Sequence, residues 1–330
     1  MSTELTTDAV LKNTSRQNRL WSGDFLQALG MLPVLVVIAI GFHIASGRFL
    51  SFGNLTLVTQ QASINTVLAC GMTLVILTAG IDLSVGSILA AAAMVSVAVS
   101  LVPDLSGLGL VAGLLAGLGC GLLNGGLIAA LKLPPFIVTL GTLTAFRGLA
   151  RLIGGDRTLT NMDLPFAFIG NQTLFGISLL VVIAAGVVLL SWIILRFTVL
   201  GMRIYAIGGN EAAAALAGIR VWVIVLFVYA YSGLLAGLGG VMSASRLYSA
   251  NGIQLGQAYE LDAIAAVILG GTSFVGGVGS IWGTVVGALI IAVLSNGLIL
   301  TGVPDIWQYI IKGAVIVGAV ALDRVRAARS

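Results

Sequence analysis

The chain has 330 residues, of which 58% are hydrophobic and only 8% charged, against about 25% charged in a soluble domain. That balance excludes a water-soluble globule and identifies an all-α integral membrane protein, because long apolar runs can close their backbone hydrogen bonds in lipid only as helices. The formal charge of +4 is scattered at the ends of apolar runs. It therefore excludes nucleic acid as a partner and reports orientation instead.

A crossing helix needs about 20 apolar residues. Suitable stretches fall near 27–46, 60–80, 83–103, 107–131, 135–154, 174–197, 221–243, 258–275, 279–300 and 305–323, which predicts a polytopic bundle of about ten transmembrane helices. The transmembrane domain then covers 26–323, between a polar tail over 1–25 and a short tail over 324–330. A secretory signal would begin nearer the start and end in a small-residue cleavage site, and neither feature is found. An even number of crossings puts both termini on one side. Placing them in the cytoplasm leaves Lys12, Arg16, Arg19, Lys132, Arg196, Arg203, Arg220, Arg324, Arg326 and Arg329 inside. Arg48, Arg147, Arg151, Arg157 and Arg246 then fall outside, with Lys312 within a span. The inward excess is the one the positive-inside rule expects, and it makes the polar interruption at 199–221 cytoplasmic.

Along the spans, polar side chains stand out. Ser63, Asn65, Thr66 and Thr73 lie on the second, while Asn124 and Asn296 interrupt later ones. Amides and hydroxyls both donate and accept hydrogen bonds, which suits a translocation path for a neutral polyol that must not be held tightly. Hydrogen bonding between helices that only fixes packing is the plainer reading of each. Asp82 lies between Gly80-Ile81 and Leu83-Ser84, at the cytoplasmic end of the second span by this topology. Asp82 and Ser84 are read as a cap for the third helix, with the carboxylate on free backbone amides, or as a gate. Glu260 and Asp262 open the eighth span near Arg246 and Tyr259, either as a salt-bridged helix start or as a rim for an external partner.

Glycines recur every four residues at Gly113, Gly117, Gly121 and Gly125, and again at Gly279, Gly283 and Gly287. Such rows let helix backbones approach closely, so these two helices belong inside the bundle or at a subunit contact. The two cysteines and the single histidine, His43, offer no catalytic triad and no metal cluster. No catalytic residue and no metal ligand is assigned. The chain also lacks a Gly-x-x-x-x-Gly-Lys-Ser/Thr loop, so it has no evident means of binding ATP and no cofactor of its own.

The most informative stretch is Gly201 to Val221, GMRIYAIGGNEAAAALAGIRV. Asn210 suits an N-cap, Glu211 places an acid in the first turn, and Gly218 is a natural left-handed stop. A helix of about two turns is predicted between them, too short to be ordered in water without a docking surface. Arg203, Tyr205, Ala206, Gly208, Gly209, Asn210, Glu211, Ala213 and Ala214 form a block that resembles the coupling loop of ribose-type permease subunits of bacterial ABC sugar importers. The blocks Gly71–Ser87 and Glu260–Ser273 agree with that family, and the resemblance extends over 30–323.

The resemblance implies a multi-pass protein of the bacterial inner membrane carrying a monosaccharide such as ribose or a related pentose or hexose. Two such chains, identical or different, would enclose a path in membrane lipid. A tandem ABC ATPase holding ATP and Mg would lie below, and a periplasmic sugar-binding protein above. Residues Arg203 to Gly218 would couple to the ATPase. An ion-coupled secondary transporter is the alternative from another class, but it calls for a mid-membrane relay of ionisable groups that the span centres scarcely offer. A permease for branched-chain amino acids or another small polar solute is the nearer alternative.

Overall fold

The computed structural model describes residues 30–327. The expected tail over 1–25, with Lys12, Arg16 and Arg19, lies outside the described residues. Thirteen helices are named here in chain order. They are α1 Gly30–Ser46, α2 Phe52–Leu77, α3 Val85–Ser100, α4 Gly109–Leu131, α5 Pro135–Gly154, α6 Phe168–Asn171 and α7 Leu179–Phe197. After them come α8 Val199–Gly209, α9 Glu211–Leu216, α10 Val221–Leu247, α11 Tyr259–Leu269, α12 Ile281–Leu300 and α13 Asp305–Ala327. Two antiparallel ladders complete the fold: β1 Thr158–Thr160 with β4 Ser249–Asn251, and β2 Thr173–Leu174 with β3 Ile177–Ser178.

The all-α membrane architecture is as composition requires. Among the described residues, six helices are long and apolar enough to cross a bilayer: α2, α4 with its leading 3₁₀ turn, α5, α7, α10 and α12. The stretches expected at 83–103 and 258–275 do not form full-length spans. α3 has 16 residues and α11 has 11, so at 1.5 Å per residue α11 extends only about 17 Å, against a hydrocarbon core of about 30 Å. Chain breaks account for the shortening. Before α3, Ala79 takes a left-handed φ of 58°, and after α11, Gly271 does so at 84°. By hydropathy each short helix runs into its flanking turn, because those turns are glycine-containing and largely apolar.

α2, α3 and α10 form the centre of the bundle, with side chains such as Leu68, Met72, Leu89 and Tyr229 almost wholly enclosed. The first glycine row serves this core. A Cβ at Gly117 would sit 2.5 Å from both the Gly233 carbonyl oxygen and the Gly237 Cα, so α4 and α10 touch backbone to backbone. The second row does the same at α11, where Gly283 and Gly287 face Gly270 and Ala266. Gly279 lies just ahead of α12 rather than on it. In lipid, where apolar burial drives little association, this close contact is what holds helices together.

Candidate functional site

The predicted short helix is α9, and its boundaries are set by the predicted residues. Asn210 Oδ1 accepts a hydrogen bond from the Ala213 amide at 2.9 Å, and Gly218 has a φ of +84°. Ala214 packs inward, whereas Glu211, Ala213 and Leu216 face out, Leu216 with 90% of its surface exposed. The residues before it form a helix where a loop is expected. Arg203, Tyr205, Gly208 and Gly209 belong to a second helix, α8, opened by Thr198, whose hydroxyl accepts from the Gly201 amide at 3.2 Å. Threonine before a run without proline is a start signal that could have been noticed.

α8 is keyed to the bundle at two points. The Tyr205 hydroxyl donates to the Gly279 carbonyl at 2.9 Å. Gly208 lies against the Leu77 carbonyl and the Gly277 amide, leaving no room for a side chain. That amide in turn donates to the Leu77 carbonyl at 3.0 Å. One contact point thus joins α8, the end of α2 and the link between α11 and α12. Arg203 and Gly209 remain exposed.

Asp82 lies deep in the bundle, fully buried. Its Oδ1 accepts from the Ser84 amide at 3.0 Å and the Ser84 hydroxyl at 2.6 Å, and its Oδ2 accepts from the Ser232 hydroxyl at 3.2 Å. Ser232 is near the middle of α10, which fixes the depth. The carboxylate reaches the amide at the N-cap position of α3, not those of its first turn, and Ser84 itself makes no side-chain capping bond. Asn124 Nδ2 donates to the Ser84 hydroxyl at 2.8 Å, while Tyr229 and Thr139 each donate to the Ile81 carbonyl at 3.2 Å. The break between α2 and α3 is therefore tied to α4, α5 and α10 at once.

The six candidate path residues lie on α2, α4 and α12. All are buried. Asn124 belongs to the Asp82 knot. Thr73 bonds Thr284 of α12 at 2.8 Å and its own helix at Ala69. Asn296 Oδ1 accepts from Asn54 Nδ2 at 2.9 Å, and Ser63 bonds the Thr59 carbonyl at 2.7 Å. Asn65 and Thr66 sit beside them on α2. Thr73, Asn124 and Asn296 thus carry hydrogen bonds between segments.

Two further arrangements went unrecognised in the sequence. Lys312 pairs with Asp262 at 3.0 Å, tying α13 to the first turn of α11. Arg147, expected outside the membrane, lies within α5 and donates to the carbonyls of Gly252, Leu255 and Gly256 at 3.2, 2.5 and 3.2 Å. An arginine well inside an apolar run was the available signal, because a partly buried cation must find acceptors. On the surface beyond α5, hydrogen bonding from Arg151 holds the Asp156 carboxyl below the usual carboxylate range. Among the described residues, no cluster of three metal-ligating side chains occurs.

The family model described as branched-chain amino acid transport system / permease component matches residues 54–320. The chain belongs to this permease family. Curated relatives of the permease include the ribose import permease protein RbsC of Bacillus subtilis, 42% identical over 95% of this chain and 98% of the relative. The D-allose transport system permease protein AlsC of Escherichia coli is 38% identical over 88% and 89% of the two chains. The galactose/methyl galactoside import permease protein MglC of the same organism is 37% identical over 92% and 96%. No solved structure matches. The permease is accordingly a multi-pass transport subunit and not an enzyme in its own right.

Proposed function

We propose that this permease is the membrane subunit of an ATP-driven bacterial importer for a monosaccharide, ribose or a related pentose or hexose. In this reading about ten helices lie in the inner membrane with both termini cytoplasmic. Two permease chains enclose the path, a separate tandem ATPase that itself holds ATP and Mg docks on α9, and a binding protein delivers sugar from the other side. The observation that carries the proposal is the capped, outward-facing α9, with Leu216 presented to solvent and α8 keyed behind it.

The coupling route follows from these contacts. Movement of a partner seated on α9 acts on α8 through Asn210, which ends one helix and caps the next. From α8 it passes through Tyr205 to Gly279 and through Gly208 to Leu77 and Gly277. Those positions end α2 and precede α12, two largely buried helices. The Asp82 knot then acts as the fixed point about which α3 and α10 stay registered.

A sugar fits better than an amino acid because a zwitterion needs compensating charge or helix ends in the membrane, whereas the candidate path residues are neutral. The relatives named for ribose, allose and galactose favour the same class. Weak hydroxyl and amide contacts pass many sugars, leaving the choice to the binding protein. Uptake in a strain lacking this permease, with the chain, its ATPase and its binding protein restored, tests the proposal against labelled pentoses, hexoses, polyols and leucine. Saturable sugar uptake that changes preference when the binding protein is exchanged is expected. Leucine uptake without sugar uptake would overturn it.

A further inference from the structure

A cavity of about 1120 Å³ opens between the end of α7, α8 and the start of α12. Its walls are mainly apolar. Trp192 meets Phe197 edge-on at 5.0 Å and Trp282 at 6.1 Å, and Met202 of α8 and Val278, in the link before α12, line it while 65% and 59% exposed. Neither of these two belongs to a crossing helix, and apolar surface left open at such a place marks a docking site. The neighbouring α1 runs parallel to α12: Met31 and Leu32 pack against Val286 and Ile290, and Phe42, farther along, closes on Gly297. Trp282 lies one turn ahead of Val286 on the same face of α12, about 6 Å along its axis. The start of α1 is therefore almost level with the aromatic wall of the cavity.

We propose that the segment Leu20–Leu26, ahead of α1, seats in this cavity, with Trp21 and Phe25 against Trp192 and Trp282. Leu20, Trp21, Phe25 and Leu26 place four large apolar side chains within seven residues of a tail that is otherwise largely polar. Leu26 is four positions and Trp21 nine positions ahead of Gly30, reaches of at most about 14 and about 32 Å. Both lengths suffice to bring the segment beside Trp282. Aromatic and aliphatic burial supplies the attraction, and the tether presents the segment at an effective concentration on the order of millimolar, which favours it over a separate partner. Tyr205, which joins α8 to Gly279, lines the same cavity. A seated tail thus braces α8 against the start of α12, and its release would let α8 shift without carrying α12 with it. That consequence for coupling rests on the function proposed above; the seating itself does not.

Thiol labelling of the full purified chain tests the seating without sugar or ATPase, so its outcome is independent of the transport proposal. Val278→Cys puts a reporter on an exposed wall residue, while Cys70 and Cys120 lie within α2 and α4. Adding Trp21→Ala and Phe25→Ala should raise the rate at which a water-soluble maleimide labels that reporter by about tenfold or more, the effect of losing two large buried apolar side chains. Asn13→Ala, elsewhere in the tail, should leave the rate unchanged. Oxidative cross-linking supplies the second measurement, since Ser22→Cys keeps both aromatic anchors and should join Val278→Cys within one chain, seen as a linked pair of tryptic peptides from the monomer. Labelling insensitive to the two alanine substitutions, with no cross-link inside the chain, would overturn the seating. So would a cross-link formed only between two copies, or protection lost on removing lipid and not on changing the tail, which would give the cavity to a neighbouring copy or to lipid.

Discussion

Ser232, on α10, donates its hydroxyl to the Asp82 carboxylate at 3.2 Å although 150 positions separate them in the chain. This contact sits where α2 has ended and α3 has not begun. It holds an irregular stretch of backbone inside the helical bundle. Irregular backbone at membrane depth needs protein partners for its polar groups, and Asp82 accepts from three of them.

Substitutions at Asp82 should separate acceptor from charge. Asn retains an oxygen for the Ser84 amide and hydroxyl, whereas Leu leaves those donors and Ser232 unpaired in an apolar surrounding. Each buried orphan costs about 1–3 kcal/mol. Asp82→Asn should therefore transport appreciably, and Asp82→Leu should melt at a clearly lower temperature and transport poorly. Equal and complete loss of transport in both, at normal protein levels and unchanged melting temperature, would instead show that the charge itself is required.

The α4–α10 contact predicts opposite outcomes for two neighbouring glycines. Gly117→Leu forces apart backbones already in contact, whereas Gly119 has open space where its side chain would be. Overpacking typically costs about 1–3 kcal/mol, and here the obstacle is backbone. Thermal melting of the detergent-purified proteins should show a large loss for Gly117→Leu and almost none for Gly119→Leu.

For the Asp262–Lys312 pair, with side chains 8% and 21% exposed, removing one partner leaves a largely buried charge. Breaking a buried pair costs about 3–5 kcal/mol, while replacing both partners can be neutral. Asp262→Asn and Lys312→Met should each destabilise, and the double variant should recover much of the loss. Additive losses in a double-mutant cycle would mean that the two charges act independently.

What could be read from the sequence follows the range over which each feature is determined. Class and the long helices are written in composition and run length, and α9 is bounded by Asn210 and Gly218, residues whose local chemistry suffices. α8 escaped because Gly201, Gly208 and Gly209 weaken any helical expectation, yet Gly201 and Gly208 are there to admit neighbouring backbone. The short lengths of α3 and α11 escaped because hydropathy cannot distinguish an apolar helix from an apolar turn. The partners of Asp82, Arg147 and Asp262 are contacts between distant segments, and no local pattern announces them. The polar residues proposed for a path were noticed for their chemistry, but their neighbours across the bundle determine whether that chemistry is spent on packing.

The central claim is that α9 is the surface through which an ATPase drives this permease, and the side chain most exposed to that test is Leu216. Burying a leucine contributes about 1.5–3 kcal/mol, so its replacement by aspartate should weaken an apolar docking contact by more than tenfold. Glu211→Lys, on the same outward-facing helix, should act in the same direction. Neither change alters a membrane span. The direct measurement is co-purification of the co-expressed ATPase with the wild-type chain, Leu216→Asp and Glu211→Lys, alongside sugar-stimulated ATP hydrolysis of each complex. The ATPase should accompany the wild type and be lost or uncoupled in both variants while their amounts in the membrane stay equal. Unchanged co-purification and unchanged stimulated hydrolysis in both would contradict the claim.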